Sequence, residues 1–230
     1  ADRTSRWGRR ARRVLRRVLP PRRGAVVLGY HRLADPRTAV GDDPSTMCVH
    51  PETFRAQMAQ LRKLGRPVSL AHLVAALRAG VPVRGMIAVT FDDAYEEVLR
   101  LALPVLEEHR IPATVFFVAG CEGRPFWWDR LGAMLPLADP ALPLRVAAGP
   151  SEFAWTGVGG RPQLHVRLHR TLRVLEDAER SRVLDRLAAA WNLGGGNGAG
   201  TDAGLPRALT REEARRLLAS RWVDAGSHSI

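Results

Sequence analysis

The sequence contains little cysteine and almost no lysine. Cys48 and Cys121 are the two cysteines in 230 residues, and they form neither a CxxC pair nor a dense framework. Their spacing argues against a disulfide scaffold and against a structural zinc site built on cysteine, so we expect two reduced, partly buried thiols. Lys63 is the single lysine among 35 basic residues, which leaves arginine to carry the positive charge.

That charge is concentrated in residues 1–23. Ten arginines and one aspartate give this segment +9 of the chain's +12, so the other 207 residues carry only +3. This distribution disfavours nucleic acid as a partner of the whole protein. Apolar residues recur at helical spacing between the arginines, which predicts a basic amphipathic helix that ends at Pro20-Pro21. Arg16-Arg17 interrupt any secretory apolar core, and the segment is not a transmembrane span.

The sequence allows two interpretations of residues 1–23. The helix could lie on an anionic membrane surface or dock on the domain or a partner, and a solvated, disordered arm is the alternative. The expected location of the protein is cytoplasmic, with peripheral membrane contact through residues 1–23.

In the middle of the chain, an apolar run stops at two adjacent carboxylates. Residues 86–91 are apolar and β-branched, as in a parallel strand that is covered on both faces, and Asp92 and Asp93 follow directly. Burying ionised carboxylates without partners is costly, so we place them at the carboxyl end of the strand. The alternative is a helix N-cap with an acidic first turn that Glu96 and Glu97 continue.

Similar strands flank this one, and helical patterns separate them. Residues 24–31 form an apolar strand that ends in Tyr30-His31, residues 113–120 form another, and the last segment reads as a short strand that ends at His228. The alternation predicts an α/β fold with a parallel sheet or barrel. In a parallel barrel the carboxyl ends converge on one rim, so the histidines and aspartates are expected to meet there.

Residues 124–208 interrupt the alternation. They begin with the aromatic patch around Trp127 and Trp128, continue with helical periodicity over 163–191 and end in a glycine-rich loop. We interpret them as an inserted, mainly helical segment that frames a cleft. The tryptophans are expected to anchor a core or a lid, and sugar stacking is the alternative. Regular structure resumes after the insertion at a helix with the capping box Thr210 to Glu213.

Two short motifs carry a family resemblance. Thr90-Phe91-Asp92-Asp93 resembles the first motif of the polysaccharide deacetylases, the family with NodB homology, and Gly226-Ser227-His228-Ser229 resembles the opening of the second, His-(Ser/Thr)-x-x-His. The early Tyr30-His31 is similar to the permuted members of the family. The resemblance covers about residues 24–123 and 206–230, and it implies a distorted (β/α) barrel. The expected organisation is a tail over 1–23 and a catalytic domain over 24–230.

The resemblance also implies roles for individual residues. It makes Asp93 and His228 metal ligands, with Zn²⁺ the expected ion, Asp92 the general base and His31 the general acid. The residues expected to bind substrate are Tyr30, Tyr95, Trp127 and Trp128.

The sequence departs from the family pattern at several points. Ala94 stands where the family usually has glycine, later motifs are absent, and the second ligand histidine would lie just beyond Ile230. We therefore expect the domain to be incomplete at its C-terminal end.

These residues predict a metal-dependent hydrolase that removes an N-acyl group, expected to be N-acetyl, from an amino sugar in a glycan or glycolipid. An amide is a poor electrophile, so its hydrolysis needs a Lewis acid, a base for the water proton and an acid for the leaving amine. One alternative is a catalytically incomplete relative that binds saccharide or a partner. Another is a basic membrane-surface or nucleic-acid-binding protein, which explains residues 1–23 but not the polar strand ends.

Overall fold

A computed structural model of the chain describes residues 24–37, 39, 47–149, 151–193, 202 and 204–228. The predicted amphipathic tail lies outside these residues, and so does most of the glycine-rich loop. The described residues divide into two compact units. The first holds those up to residue 124 and those from residue 207 onward, and the second holds residues 125–206. The range predicted for the insertion, 124–208, contains the second unit.

A five-stranded parallel sheet forms the centre of the first unit. Its strands are β1 (Val26–Tyr30), β2 (Arg66–Pro67), β3 (Met86–Phe91), β4 (Ala113–Val118) and β7 (Val223–His228). Strands β1, β3, β4 and β7 are hydrogen-bonded in that order, β2 pairs with β3, and every pairing is parallel. The predicted α/β fold with a parallel sheet is confirmed.

Helices cover both faces of the central strand. They are α1 (Pro51–Leu64), α2 (Leu70–Arg78), a π-helical turn (Val98–Ala102) that continues into α3 (Leu103–His109), and α7 (Arg211–Leu218). The main core packs α1, α3 and α7 against one face, and a smaller cluster packs α2 against Met86 and Ala88. All six residues of β3 are buried, because neither face meets water. This explains why the strand reads as a continuous apolar run.

Close packing also determines how α1 meets β3. Gly65 follows the helix, and a Cβ atom placed there would lie 2.5 Å from the carbonyl oxygen of Gly85 and 2.8 Å from Cδ1 of Ile87. Its backbone is extended, so the glycine is required by this close approach and not by a left-handed turn.

The second unit has its own core and is mainly helical, as predicted. It contains α4 (Trp127–Met134), the antiparallel hairpin β5 (Leu144–Ala148) and β6 (Ser151–Trp155), α5 (Gly160–Arg173) and α6 (Asp177–Ala190). Leucines at helical spacing on α5, Leu164, Leu168 and Leu172, are buried together with those of α6. In neither unit do the described residues include a helix with both the length and the apolar character needed to cross a membrane.

Candidate functional site

His31 and Asp92 lie side by side at the carboxyl ends of adjacent strands. Tyr30 pairs with Phe91 across β1 and β3, and the Asp92 N–H donates to the carbonyl oxygen of Tyr30 at 2.8 Å. The His31 Nε2 atom is 3.8 Å from Asp92 Oδ2, and the two side chains are 32% and 30% exposed. The distance is that of an ion pair and is too long for a hydrogen bond. Both side chains are therefore accessible to a bound molecule, and a water molecule or a proton can lie between them.

Asp93 has a different environment from its neighbour. It is buried, with 6% exposure, and burial raises the pKa of its carboxyl because the charged form loses its hydration. The positive charges available on His31 and His228 act in the opposite direction, which places both histidines within electrostatic range of Asp93. A nearby cation would stabilise a buried carboxylate of this kind.

The contrast arises from the backbone that follows β3. Asp93 and Ala94 have φ values of 65° and 48°, in the left-handed region that residues with a side chain seldom adopt. The turn is held by backbone hydrogen bonds to a distant segment: Leu209 N–H donates to the Ala94 carbonyl at 2.9 Å, and Glu96 N–H donates to the Arg207 carbonyl at 3.0 Å. Glycine, the residue expected here from the family resemblance, would accept the Ala94 conformation without strain.

His228 reaches the same end of the sheet from β7. Phe91 pairs with Val115 and Val118 pairs with His228, so His228 lies two residues beyond the level of Asp92. Gly226, two residues earlier, has no room for a side chain, because a Cβ atom there would be 2.4 Å from the Phe116 ring. The glycine of the Gly226-Ser227-His228 motif thus lets β7 lie flat against Phe116.

A cavity of about 310 Å³ opens beside Asp93. Its wall is largely apolar, from Phe117, Val118, Ala208, Leu209 and Ala214, and Glu122 and Arg211 also line it. The Arg211 Nη2 atom is 3.9 Å from Glu122 Oε1, and both side chains are exposed. The space suits a small group with an apolar end and a polar end. Sequence reasoning missed these lining residues: the capping box at Thr210 is confirmed, but nothing local indicates that this helix start faces Asp93.

The two tyrosines predicted to bind substrate lie in the interior. Tyr30 is 6% exposed, its hydroxyl donates to Gln57 Oε1 at 2.9 Å, and burial raises its pKa. Tyr95 is 1% exposed and lies under the guanidinium of Arg32, 5.3 Å from the ring centroid. Both side chains therefore serve packing in this structure. Their role in substrate binding stays a prediction.

The predicted tryptophans belong to the second unit. Trp128 stacks on Phe126 with ring centroids 4.6 Å apart, and Trp127 packs against the core of that unit under the guanidinium of Arg180. These contacts are those of a core anchor. Sugar stacking by either ring stays a prediction.

Asp93 and His228 offer the oxygen and nitrogen donors that Zn²⁺ and related divalent ions accept. The buried carboxylate of Asp93 fits such a role, since a cation would offset the cost of its burial. Within the described residues no group of three or more histidine, cysteine or acidic side chains is close enough to hold a metal. The donor types of Asp93 and His228 fit a metal, and both residues lie in the described part of the chain.

Comparison with known proteins gives matches that include β3 and β4. Residues 80–135 match the family model described as polysaccharide deacetylase. Two curated relatives, the poly-β-1,6-N-acetyl-D-glucosamine N-deacetylases of Escherichia coli K12 and Escherichia coli O157:H7, are each 33% identical over 95 residues, or 40% of this chain. The chain spans 14% of the length of these relatives.

Solved structures with some likeness to the chain include a de-N-acetylase from Aggregatibacter actinomycetemcomitans and IcaB from Ammonifex degensii. The first has a TM-score of 0.43 and 12% identity, over 89% of this chain and 54% of that one. The second has a TM-score of 0.39 and 20% identity, over 86% of this chain and 96% of that one. The family match is the more specific finding, because its 56 residues contain both aspartates. The segment that carries Asp92 and Asp93 is thus similar to the polysaccharide deacetylase family.

Proposed function

We propose that this chain carries the catalytic site of a metal-dependent carbohydrate N-deacetylase. The observation that supports this most is the pairing of half-exposed His31 and Asp92, 3.8 Å apart, beside the buried carboxylate of Asp93. A base, an acid and an anionic ligand at one strand edge are the groups that hydrolysis of an unactivated amide requires.

In the proposed reaction, each of the two half-exposed groups transfers one proton. Asp92 accepts a proton from the attacking water at a carboxylate oxygen, as a new C–O bond forms at the acyl carbon. His31 in its protonated form gives a proton from Nε2 to the amide nitrogen as the C–N bond breaks. The products are the free amine of the sugar and a carboxylic acid, and the reaction consumes one water.

Asp93 and His228 would hold a divalent ion, with Zn²⁺ the expected choice. When bound there, the ion would supply Lewis acidity toward the acyl carbonyl. Asp93 stays off the proton path in this scheme because it is buried, whereas Asp92 is open to solute.

The proposed substrate is a glycan that contains N-acetylglucosamine. The Escherichia coli relatives are named for a β-1,6-linked polymer of this sugar, and the cavity beside Asp93 is of a size for a small acyl group. A glycolipid with the same amino sugar presents the same amide. Two substrates, a β-1,6-linked oligomer and an N-acetylglucosaminyl lipid, distinguish these sources.

Acetate release from the two substrates tests the proposal. We expect Asp92→Asn to lower kcat by about 10²- to 10⁴-fold while divalent-ion affinity is retained, because the amide cannot take a proton. Asp93→Asn should instead lose the ion. Asp224→Asn is the control, since this exposed aspartate lies on the same strand as His228 away from the site. Acetate release that is indifferent to Asp92→Asn and to a chelator would refute the proposal.

A further inference from the structure

Arg32 and Glu97 form a buried ion pair close in sequence to the proposed acid and base. Arg32 follows His31 in sequence, and Glu97 lies four residues after Asp93. Arg32 Nη2 donates to Glu97 Oε1 at 2.8 Å and Nε donates to Oε2 at 3.3 Å, and the two side chains are 5% and 8% exposed. Removing two charges from water is costly, and good geometry with further contacts is needed to offset it.

Arg32 joins three separate parts of the chain. Its guanidinium lies 5.3 Å from the centroid of the Tyr95 ring, on the turn that follows Asp93. The backbone N–H of Arg32 donates to the Met47 carbonyl at 3.1 Å, and the backbone carbonyl of Arg32 accepts from the Val49 N–H at 3.0 Å. The end of β1, the segment at 47–49 and the turn at 95–97 are thereby tied at one residue.

The turn held by this residue is the strained one. Asp93 and Ala94 lie in the left-handed region, and such conformations persist only where the surroundings fix them on several sides. The backbone bonds from Leu209 and to Arg207 hold one side of the turn, and the Arg32–Glu97 pair holds the other. Arg32 thus links the strand end that carries His31 to the turn that carries both aspartates.

We propose that Arg32 and Glu97 are positioning residues, which hold His31 and the Asp92-Asp93 turn in the relative geometry that deacetylation requires. Neither residue touches the reacting atoms in this scheme. The inference rests on the proposed function, because the groups it aligns are the proposed acid and base.

A cycle of three variants separates positioning from simple stabilisation. Arg32→Met and Glu97→Leu each remove one member of the buried ion pair and leave the other charge in the interior, so each should lower the urea midpoint of unfolding. The double variant removes both charges, so its urea midpoint of unfolding should return most of the way to the wild-type value. Its kcat for acetate release should nevertheless stay on the order of 10- to 100-fold below wild type, with KM changed by less than about threefold, because misplaced catalytic groups slow turnover more than binding.

Two further variants serve as controls for this test. Arg32→Lys keeps the charge but not the two-pronged contact, so it should lower kcat with a small change in the urea midpoint. The paired change Arg55→Met with Glu108→Leu removes an exposed ion pair between α1 and α3 in the same unit, and it should leave kcat at the wild-type value.

Amide hydrogen exchange gives a readout that needs no activity. In the double variant, residues 92–97 should exchange faster than in wild type, whereas β4 should keep its protection. If kcat recovers together with stability, or if residues 92–97 keep wild-type protection, the pair is merely structural and the inference is wrong. If the wild-type protein releases no acetate, the proposed function fails, and the exchange experiment still decides whether the pair holds the turn.

Discussion

Asp92 and Asp93 show how two identical neighbours acquire different chemistry. The Asp92 side chain is 30% exposed and faces His31, whereas Asp93 is 6% exposed with a raised pKa. The difference comes from the left-handed backbone at Asp93 and Ala94, which turns the chain inward immediately after the strand. Adjacent residues in a strand already point in opposite directions, and the turn adds the contrast in burial.

At the residue scale, the strain at Ala94 can be measured by Ala94→Gly. The change removes a left-handed alanine that costs roughly 1–2 kcal/mol. It also loses a buried methyl group of about 0.8 kcal/mol and adds about 0.5–1 kcal/mol of chain entropy. The free energy of unfolding should therefore change by less than about 1 kcal/mol.

Ala88→Gly is the matched control for this experiment. Ala88 is fully buried in β3 and has no positive φ, so its replacement should cost roughly 1–2 kcal/mol without any relief of strain. Urea denaturation of both variants provides the measurement. Equal losses at the two positions would show that the turn at Ala94 is not strained.

At the scale of elements, β7 brings its histidine to the site through its register with β4. Six consecutive pairs, from Ala113–Val223 to Val118–His228, fix that register. Gly226 sits within this run against the Phe116 ring, so the flat packing of β7 depends on the missing side chain. The motif glycine therefore acts through the strand and not through a turn.

Gly226→Ala should disturb this strand. The added methyl group must displace the Phe116 ring, and overpacking of this kind costs roughly 1–3 kcal/mol in the free energy of unfolding. Gly29→Ala on β1 is the control, because the nearest atom to its added Cβ is Thr90 Oγ1 at an ordinary 3.7 Å. Urea midpoints should fall for Gly226→Ala and stay near wild type for Gly29→Ala. A similar response at both sites would contradict the packing argument.

At the scale of the whole molecule, the proposed chemistry and the positive charge occupy different parts of the chain. The proposed site residues lie at positions 31–228, whereas residues 1–23 hold nine of the twelve net positive charges. An arginine-rich amphipathic segment is suited to an anionic lipid surface, where each basic residue near the surface adds about 1 kcal/mol. Membrane contact through these residues is accordingly a property that can be tested separately from catalysis.

Co-sedimentation with vesicles that contain phosphatidylserine tests this contact. Binding should fall steeply as salt rises, since ions screen the arginine contacts, and it should be lost when residues 1–23 are deleted. Deacetylase activity on a soluble oligomer should survive the same deletion and provides the control. Vesicle binding that ignores salt or persists without the tail would show that the tail is not the membrane contact.

Elements with local signals could be predicted from the amino-acid sequence alone. A fully buried strand needs an apolar residue at every position, so β3 and the place where it stops at Asp92 could be recognised from residues 86–93 alone. The capping box at the start of α7 and the two family motifs are equally short patterns. His31 and His228 could be added because parallel strands bring their carboxyl ends to one edge of the sheet.

The groups that surround those residues become known from the folded structure and not from local patterns. The Arg32–Glu97 pair joins positions 65 residues apart, and the cavity beside Asp93 combines the end of β4 with the start of α7. Tyr30 and Tyr95 carry no local mark of their burial, since each is covered by residues distant in sequence. The periodicity of apolar residues indicates whether a position faces water. The neighbours of that position depend on how segments remote in sequence pack together. The environment of each candidate side chain follows from that packing.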